Sequence, residues 1–385
     1  MSPEFKYYDL QLCHPSFNSN LTDLIIELDY LRRKPLKGST HPKIFFQLKK
    51  LFHTLESIGS ARIEGNRTTI AEFIETKLDK IGTNDEKILE IQNIEKAMDF
   101  IDEHVRSYAI NRIFVSELHK IVVDGLSPEK EGDKTAGIYR MVNVKISSSN
   151  HLPPDYMRVN LYMDELFNFI KENSSSKYDL LKAAIAHHRF VWIHPFANGN
   201  GRTVRLLTYA MLVKSGFNVH VGRIVNPTAI FCSDRNKYYN FLSIADTGKE
   251  QDTLTWCEYV LSGLKNEIEK IDKLLNYAYL AKNILMPALG ISLERKVVTD
   301  IEAKILRIAI NNQVFKAADV KEIFPNKIPA EISRMLHKLR DRGMIIPVKE
   351  NTREYAISFN NNYLLRGVIA MLDKEGFLPI RIDEK

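Results

Sequence analysis

Apolar residues return at three- and four-residue spacing over residues 21–31, 44–58, 70–78 and 88–101 of this 385-residue chain, and again over 156–170, 178–192 and 203–214. That spacing puts them on one face of a helical turn, so the chain can bury them only by packing helix on helix. The pattern continues over 234–245 and from 252 to about 281, the latter long enough to serve as an arm between domains. One early stretch departs from it. Residues 137–150 alternate apolar and polar side chains and then run into turn formers, which reads as a short exposed hairpin closed by Pro153 and Pro154. The fold class expected is mainly α.

Residues 282–300 mix Pro287, Gly290 and scattered charges, which suits a linker with a boundary near 290. Beyond it, helical signals at 301–310, 317–323 and 329–342 precede two strand-like runs, 344–348 and 355–359, around Asn351 and Thr352. Three helices and a two-stranded ribbon make a small winged helix-turn-helix domain, expected over 300–385. Its recognition helix, 329–342, carries Arg334, Lys338, Arg340 and Arg342, diluted by Glu331 and Asp341. DNA is therefore one candidate partner, with protein docking or a homodimer as the other.

Composition excludes more than it selects. Hydrophobic residues at 44% and charged residues at 26% are ordinary for a globular chain. No apolar run approaches the roughly 20 residues that span a bilayer, and the N-terminus lacks an export pattern. Cys13, Cys232 and Cys257 stand in no metal-ligand spacing, so neither a disulfide framework nor structural zinc is expected. A cytoplasmic setting without membrane partners fits. The net charge of +6 is spread among mixed signs and decides nothing.

Chemistry concentrates in His194-Pro195-Phe196-Ala197-Asn198-Gly199-Asn200-Gly201-Arg202-Thr203-Val204-Arg205, between two helical patterns. Gly199 and Gly201 lack the Cβ atoms that keep a backbone away from a ligand, so their amides and the following helix N-terminus can cradle an anion such as phosphate. Arg202 and Arg205, three residues apart, can add forked hydrogen bonds to phosphate oxygens. His194, the one titratable base in the loop, can take a proton from an attacking hydroxyl.

This segment resembles the signature of the Fic family, H-x-F-x-D/E-G-N-G-R-x-x-R, and departs from it only at Asn198. The resemblance extends over roughly residues 40–280 and implies a helical Fic core at 111–285, with a β-hairpin flap at 137–154 that holds a target backbone beside the active site. It implies a protein adenylyltransferase: His194 deprotonates a Tyr, Thr or Ser hydroxyl of a target protein, the chain itself included, and that hydroxyl attacks the α-phosphate of ATP. By the same resemblance Phe196 anchors the loop, Gly199, Asn200 and Gly201 form the phosphate cradle, and Arg202 and Arg205 hold nucleotide phosphates. Asn198 takes the place of the family's Mg²⁺-binding acid, as an uncharged and weaker ligand. His187 and His188 are expected to pack rather than catalyse.

Ser60 and Glu64 lie one turn apart on one helical face, and Gly65 and Asn66 would end that helix. Residues 60–66 resemble the Fic inhibitory motif, S/T-x-x-x-E-G/N, within an N-terminal helical region expected at 1–110. The resemblance implies that Glu64 pairs with Arg205 and obstructs ATP. It also leaves open a deAMPylase, a transferase with another donor, or a DNA-binding regulator with a degenerate Fic module.

Overall fold

The computed structural model describes residues 5–33, 39–79, 85–146, 149–172, 175–217, 227–350, 352–359 and 364–379. Helices α1 (Asn20–Arg33), α2 (Pro42–Ile63), α3 (Ile70–Asp79), α4 (Glu86–His104), α5 (Arg112–Val123), α6 (Val159–Lys171), α7 (Asp179–Ile193), α8 (Asn200–Lys214), α9 (Thr228–Cys232), α10 (Arg235–Ala245) and α11 (Glu250–Asp272) come first. They are followed by α12 (Tyr277–Leu280), α13 (Met286–Glu294), α14 (Asp300–Asn312), α15 (Ala317–Ile323), α16 (Pro329–Asp341), strands β1 (Ile345–Pro347) and β2 (Tyr355–Ile357), and α17 (Leu364–Lys374). The mainly helical class is as expected. Among the described residues, no helix is long and apolar enough to cross a membrane.

The chain divides into two compact units, one of Met1–Pro35, Glu56–Thr68 and Asn84–Glu269, the other of Leu36–Leu55, Thr69–Thr83 and Lys270–Lys385. These interleaved stretches differ from the linear segments 1–110, 111–285 and 300–385, because a helix joins whichever core buries its apolar face, irrespective of sequence order.

The first unit is built around α7 and α8, which pack on each other and are flanked by α4, α5 and α6. Nearly every residue of α7 and α8 is buried. Helices enclosed on all sides must satisfy their polar side chains internally. Accordingly, Asp85 caps α4 through the Lys87 amide and Asn111 caps α5 through the Phe114 amide, while Trp256 of α11 donates its indole N–H to the Ala184 carbonyl at 2.7 Å. The arm expected from 252 to about 281 is broken: α11 stops at Asp272, and Asn276, in extended conformation, caps a new helix.

In the second unit β1 and β2 pair antiparallel, Ile345 opposite Ile357, after α14, α15 and α16, and Phe315 bridges to Tyr355. The expected linker at 282–300 is instead largely helix. Pro287 lies at the start of α13, directly after a π-helical turn over Ala281–Leu285 of the kind that accommodates a residue without an N–H. Ala288 and Leu289 are buried, and α17 packs so closely that a Cβ at Gly367 would lie 2.6 Å from the Ala288 carbonyl oxygen.

Candidate active site

The loop joining α7 to α8 is held in a strained shape by its own side chains. His194 ends α7 in the left-handed region (φ 51°, ψ 62°), its amide still bonded to the Phe190 carbonyl at 2.9 Å. The Asn200 side chain spans the loop, accepting the Phe196 N–H at 2.9 Å and donating to the Phe196 carbonyl at 2.8 Å. The Asn200 amide is therefore spent on the loop's own backbone rather than left open for a phosphate. Phe196 is buried and stacks on His119, ring centroids 3.7 Å apart. Gly199 opens α8 with φ 73°, and a Cβ there would lie 3.0 Å from Val123 Cγ1.

Burial pushes the His194 pKa down to about 4, a shift the Val191 carbonyl and Glu64 oppose. Its imidazole is neutral at neutral pH, the form that accepts a proton.

Ser60 and Glu64, at the C-terminal end of α2, both reach Arg205. Its Nε donates to Ser60 Oγ at 2.8 Å, and its Nη2 donates to the Ser60 carbonyl at 3.0 Å and to Glu64 Oε1 at 2.7 Å. The helix ends as the sequence suggests, with Gly65 at φ 108° and the Asn66 amide bonded back to the Ala61 carbonyl. One turn before Ser60, buried Glu56 accepts the Thr228 amide at 2.7 Å and ties α2 to α9. Burial works against ionisation of Glu64, but Arg205 more than compensates and holds the carboxyl below its ordinary range. The carboxylate fills a gap that Gly201 creates: a Cβ on Gly201 would sit 2.1 Å from Glu64 Oε1. This gap lies in the first turn of α8, where helix amides and dipole favour an anion.

Arg202 is bound differently. Its Nη2 donates to the Glu131 carbonyl at 2.8 Å and to Glu131 Oε2 at 2.9 Å, while Nη1 lies 3.1 Å from Glu90 Oε1. The turn that carries Glu131 also engages Asn198, whose Nδ2 donates to the Lys130 carbonyl at 2.7 Å and whose Oδ1 accepts the Gly199 N–H at 2.7 Å. Both ends of the Asn198 amide are thus occupied. Among the described residues, no group of three or more His, Cys, Asp or Glu is arranged to hold a metal ion.

The segment 137–154 forms no β-strand among its described residues, and residues 147–148 lie outside them. Some of its polar groups bond within the segment, the His151 N–H to Ser149 Oγ at 3.0 Å and Arg140 Nη1 to the Val142 carbonyl at 2.9 Å, and others reach the loop before α8. The Arg140 amide donates to the Pro195 carbonyl at 2.8 Å, and its guanidinium donates to the carbonyls of His194 at 2.8 Å and Pro154 at 2.6 Å. His119 joins the same parts: Nδ1 accepts the Gly137 N–H at 2.8 Å and Nε2 lies 3.0 Å from the Asn198 carbonyl. Since Nδ1 is an acceptor, Nε2 carries the proton and donates it. Burial pushes the His119 pKa down to about 4, which keeps that neutral tautomer. His119, Arg140, Glu90 and Glu131 escape a reading by motif, since nothing in their spacing marks them. His187 packs as expected, between Thr208 Oγ1 and Tyr238 Oη, both at 2.8 Å. His188 lies 3.0 Å from Asp246 Oδ1.

Residues 109–212, which contain His119, Arg140 and the whole 194–205 segment, match the model of the Fic/DOC family. The chain carries a Fic domain. Over 201 residues it is 32% identical to the protein adenylyltransferase Fic of Drosophila yakuba, a match that takes in 51% of this chain and 37% of that protein. The protein of the same name from Drosophila melanogaster matches to the same extent, 32% over 201 residues, and again only 37% of its length is spanned. In three dimensions the chain resembles a Fic family protein from Desulfovibrio desulfuricans G20, with a TM-score of 0.55 at 19% identity, covering 91% of this chain and 98% of that one. It also resembles Fic-1 from C. elegans, with a TM-score of 0.50 at 21% identity, covering 65% of this chain and 72% of that one. At these identities the structural likeness establishes the Fic fold.

Proposed function

We propose that the Fic domain transfers AMP from ATP to a hydroxyl side chain of a target protein, and that Glu64 is its built-in inhibitor. The observation that carries this reading is the Glu64 carboxylate, lodged in the gap above Gly201 and paired with Arg205 at 2.7 Å. An acidic side chain stands there where a helix N-terminus, a missing Cβ and a buried arginine together favour a phosphate. The names of the relatives point to the same chemistry.

In this reading the target hydroxyl attacks the α-phosphorus, its proton passes to His194, and pyrophosphate leaves with the electron pair of the broken P–O bond. Burial by itself makes His194 a weak base. An adjacent polyanion favours the imidazolium and raises its pKa toward the working range. Arg205, once released from Glu64, neutralises phosphate charge, and Asn200, Phe196 and Arg140 keep the loop in register. Mg²⁺ is expected from the resemblance, and no step is assigned to it. The target protein, the chain itself included, is the principal partner of this proposal, in a cytoplasmic setting.

The test uses Glu64→Gly protein with ATP labelled at either the α- or the γ-phosphate. Label on protein from the α-position alone supports AMP transfer. Protein labelled from the γ-position would make the enzyme a phosphotransferase, and no label from either would overturn the reading.

We read residues 300–385 as carrying a winged helix-turn-helix, supported by the order of α14, α15, α16 and the β1–β2 ribbon. Arg342, part of the basic set on its recognition helix, is engaged by Glu302 at 2.6 Å. Arg334, Lys338 and Arg340 are exposed and remain for duplex DNA. Binding to duplex DNA that weakens steeply with salt would support that role, whereas none at low salt would leave docking to protein or to a second copy of the chain.

A further inference from the structure

We infer that the turn over residues 127–133 is a second brake on this site, covering Arg202 as Glu64 covers Arg205. The inference rests on reading the site as one that binds nucleotide phosphates. It starts from the two carboxylates on Arg202, which differ in kind. Arg202 has a side chain 0% exposed, Glu90 one 3% exposed and Glu131 one 38% exposed. Glu90 is further fixed by the Asn66 Nδ2 donor at 2.8 Å. A buried carboxylate cannot leave a buried guanidinium without stranding both charges. A partly exposed one exchanges its partner for water or another anion at small cost. Glu90 therefore positions Arg202, and Glu131 is the partner that can be displaced.

The way Glu131 binds fits displacement by phosphate. Its carbonyl oxygen and Oε2 both accept from Nη2, at 2.8 and 2.9 Å, so two neighbouring oxygens stand on one guanidinium nitrogen, an arrangement a phosphate group supplies equally well. The rest of the turn is latched to the catalytic loop. Lys130 accepts from Asn198 Nδ2 at 2.7 Å, and Asp133 Oδ2 accepts the Asn198 N–H at 3.4 Å. An aspartate at 198 would set a carboxylate against the Lys130 carbonyl, two acceptors facing each other, so the amide at this position suits closure of the turn. Gly132 makes the turn tight enough: its amide bonds the Ser127 carbonyl at 2.9 Å, and a Cβ there would lie 2.1 Å from the Leu126 carbonyl oxygen. The turn thus bonds the site through Asn198 and Arg202, besides its anchor on Glu86 through the Ser127 N–H at 3.4 Å and Lys130 Nζ at 3.5 Å, and an anion that takes Arg202 removes one of these holds.

The experiment is done on the 385-residue chain as Glu64→Gly protein, so that the first brake is absent. ATP and adenosine affinities are measured by calorimetry with and without Glu131→Ala or Glu131→Gln, and hydrogen exchange of the 127–133 amides is followed with each ligand. The expected result is ATP binding tightened about three- to tenfold by either substitution, adenosine binding unchanged, and faster exchange of the turn with ATP but not with adenosine. Unchanged or weakened ATP binding in both variants would overturn the inference, as would a turn that stays equally protected in the ATP complex. If Glu64→Gly protein binds adenosine but gains nothing from the phosphates of ATP, the nucleotide-phosphate reading itself falls, and this one with it.

Discussion

Arg202 and Arg205 stand one turn apart on α8, both buried and both held by carboxylates, yet the two are restrained by different kinds of structure. Arg205 is bound from the end of one helix, with Ser60 of α2 and Glu64 just beyond it reaching it in concert, and its carboxylate is 27% exposed. Arg202 is bound from a buried helix by Glu90 and from an irregular turn by Glu131. In the reading proposed above, a cation is positioned by its buried partner and gated by its exposed one. Arg205 has Ser60, buried and neutral, to position it and Glu64 to gate it. Arg202 divides the same two tasks between two acids.

The largest effect that would break this picture is loss of the base. His194→Ala should lower AMP transfer roughly 10²- to 10⁴-fold while leaving ATP affinity in a Glu64→Gly background nearly intact, since neither arginine is touched. Transfer at the parental rate, measured with α-labelled ATP, would mean that the two arginines serve some other chemistry.

Next in size is the gate itself. Glu64→Gly should raise the initial rate of AMP incorporation roughly 10- to 150-fold, the value of a partly desolvated charged hydrogen bond of about 1.5–3 kcal/mol. A rise that persists in Glu64→Gly/His194→Ala protein would sink the assignment of the base, and no rise in the single variant would sink the gate.

Gly201→Ala sharpens the comparison, because its Cβ would enter the gap that the Glu64 carboxylate fills. The atom it meets is the end of a flexible side chain, so melting should show a cost of only about 1 kcal/mol. In a Glu64→Gly background the same methyl should weaken ATP binding by about tenfold, one hydrogen-bonded phosphate contact. Unaltered ATP affinity would place the phosphates away from the first turn of α8.

The smallest effect is a pH dependence. Buried His119, with its pKa pushed down to about 4, stays neutral in the fold but protonates near 6.5 when unfolded. Stability conferred by its neutral form is fully present above about pH 6.5 and declines as pH falls from there toward 4, by about 1.4 kcal/mol per unit for one such histidine. His119→Gln, which cannot titrate, should flatten the slope of unfolding free energy against pH by about one proton over that window. An unchanged slope would show that His119 already carries its proton in the fold.

The two arginine environments also differ in how far they can be read from the amino-acid order. Ser60 and Glu64 share a helical face, a relation that follows from their four-residue spacing, and their pairing with Arg205 was legible through resemblance to a known motif. Glu131 sits in a turn with no periodicity, and Glu90 is one acid among several on an amphipathic helix. Neither announces a partner 71 or more residues away. The misread segments have the same origin. Residues 137–150 alternate like a strand, but those described form none, and Arg140 bonds the loop before α8. Residues 282–300 carry Pro287 and Gly290, linker signals that a helix can hold, Pro287 at the start of α13 and Gly290 with open space where a Cβ would stand.

Local pattern alone determined helices such as α2, α7 and α8, the loop between α7 and α8 and the end of α2 at Gly65, because each depends on the spacing of neighbours a few residues apart. Only the tertiary structure decided which cations are covered, that the amides of Asn198 and Asn200 are already engaged, and that stretches separated in sequence share one unit. Those outcomes turn on which buried polar group finds a partner across the fold, and that is settled by packing rather than by order along the chain.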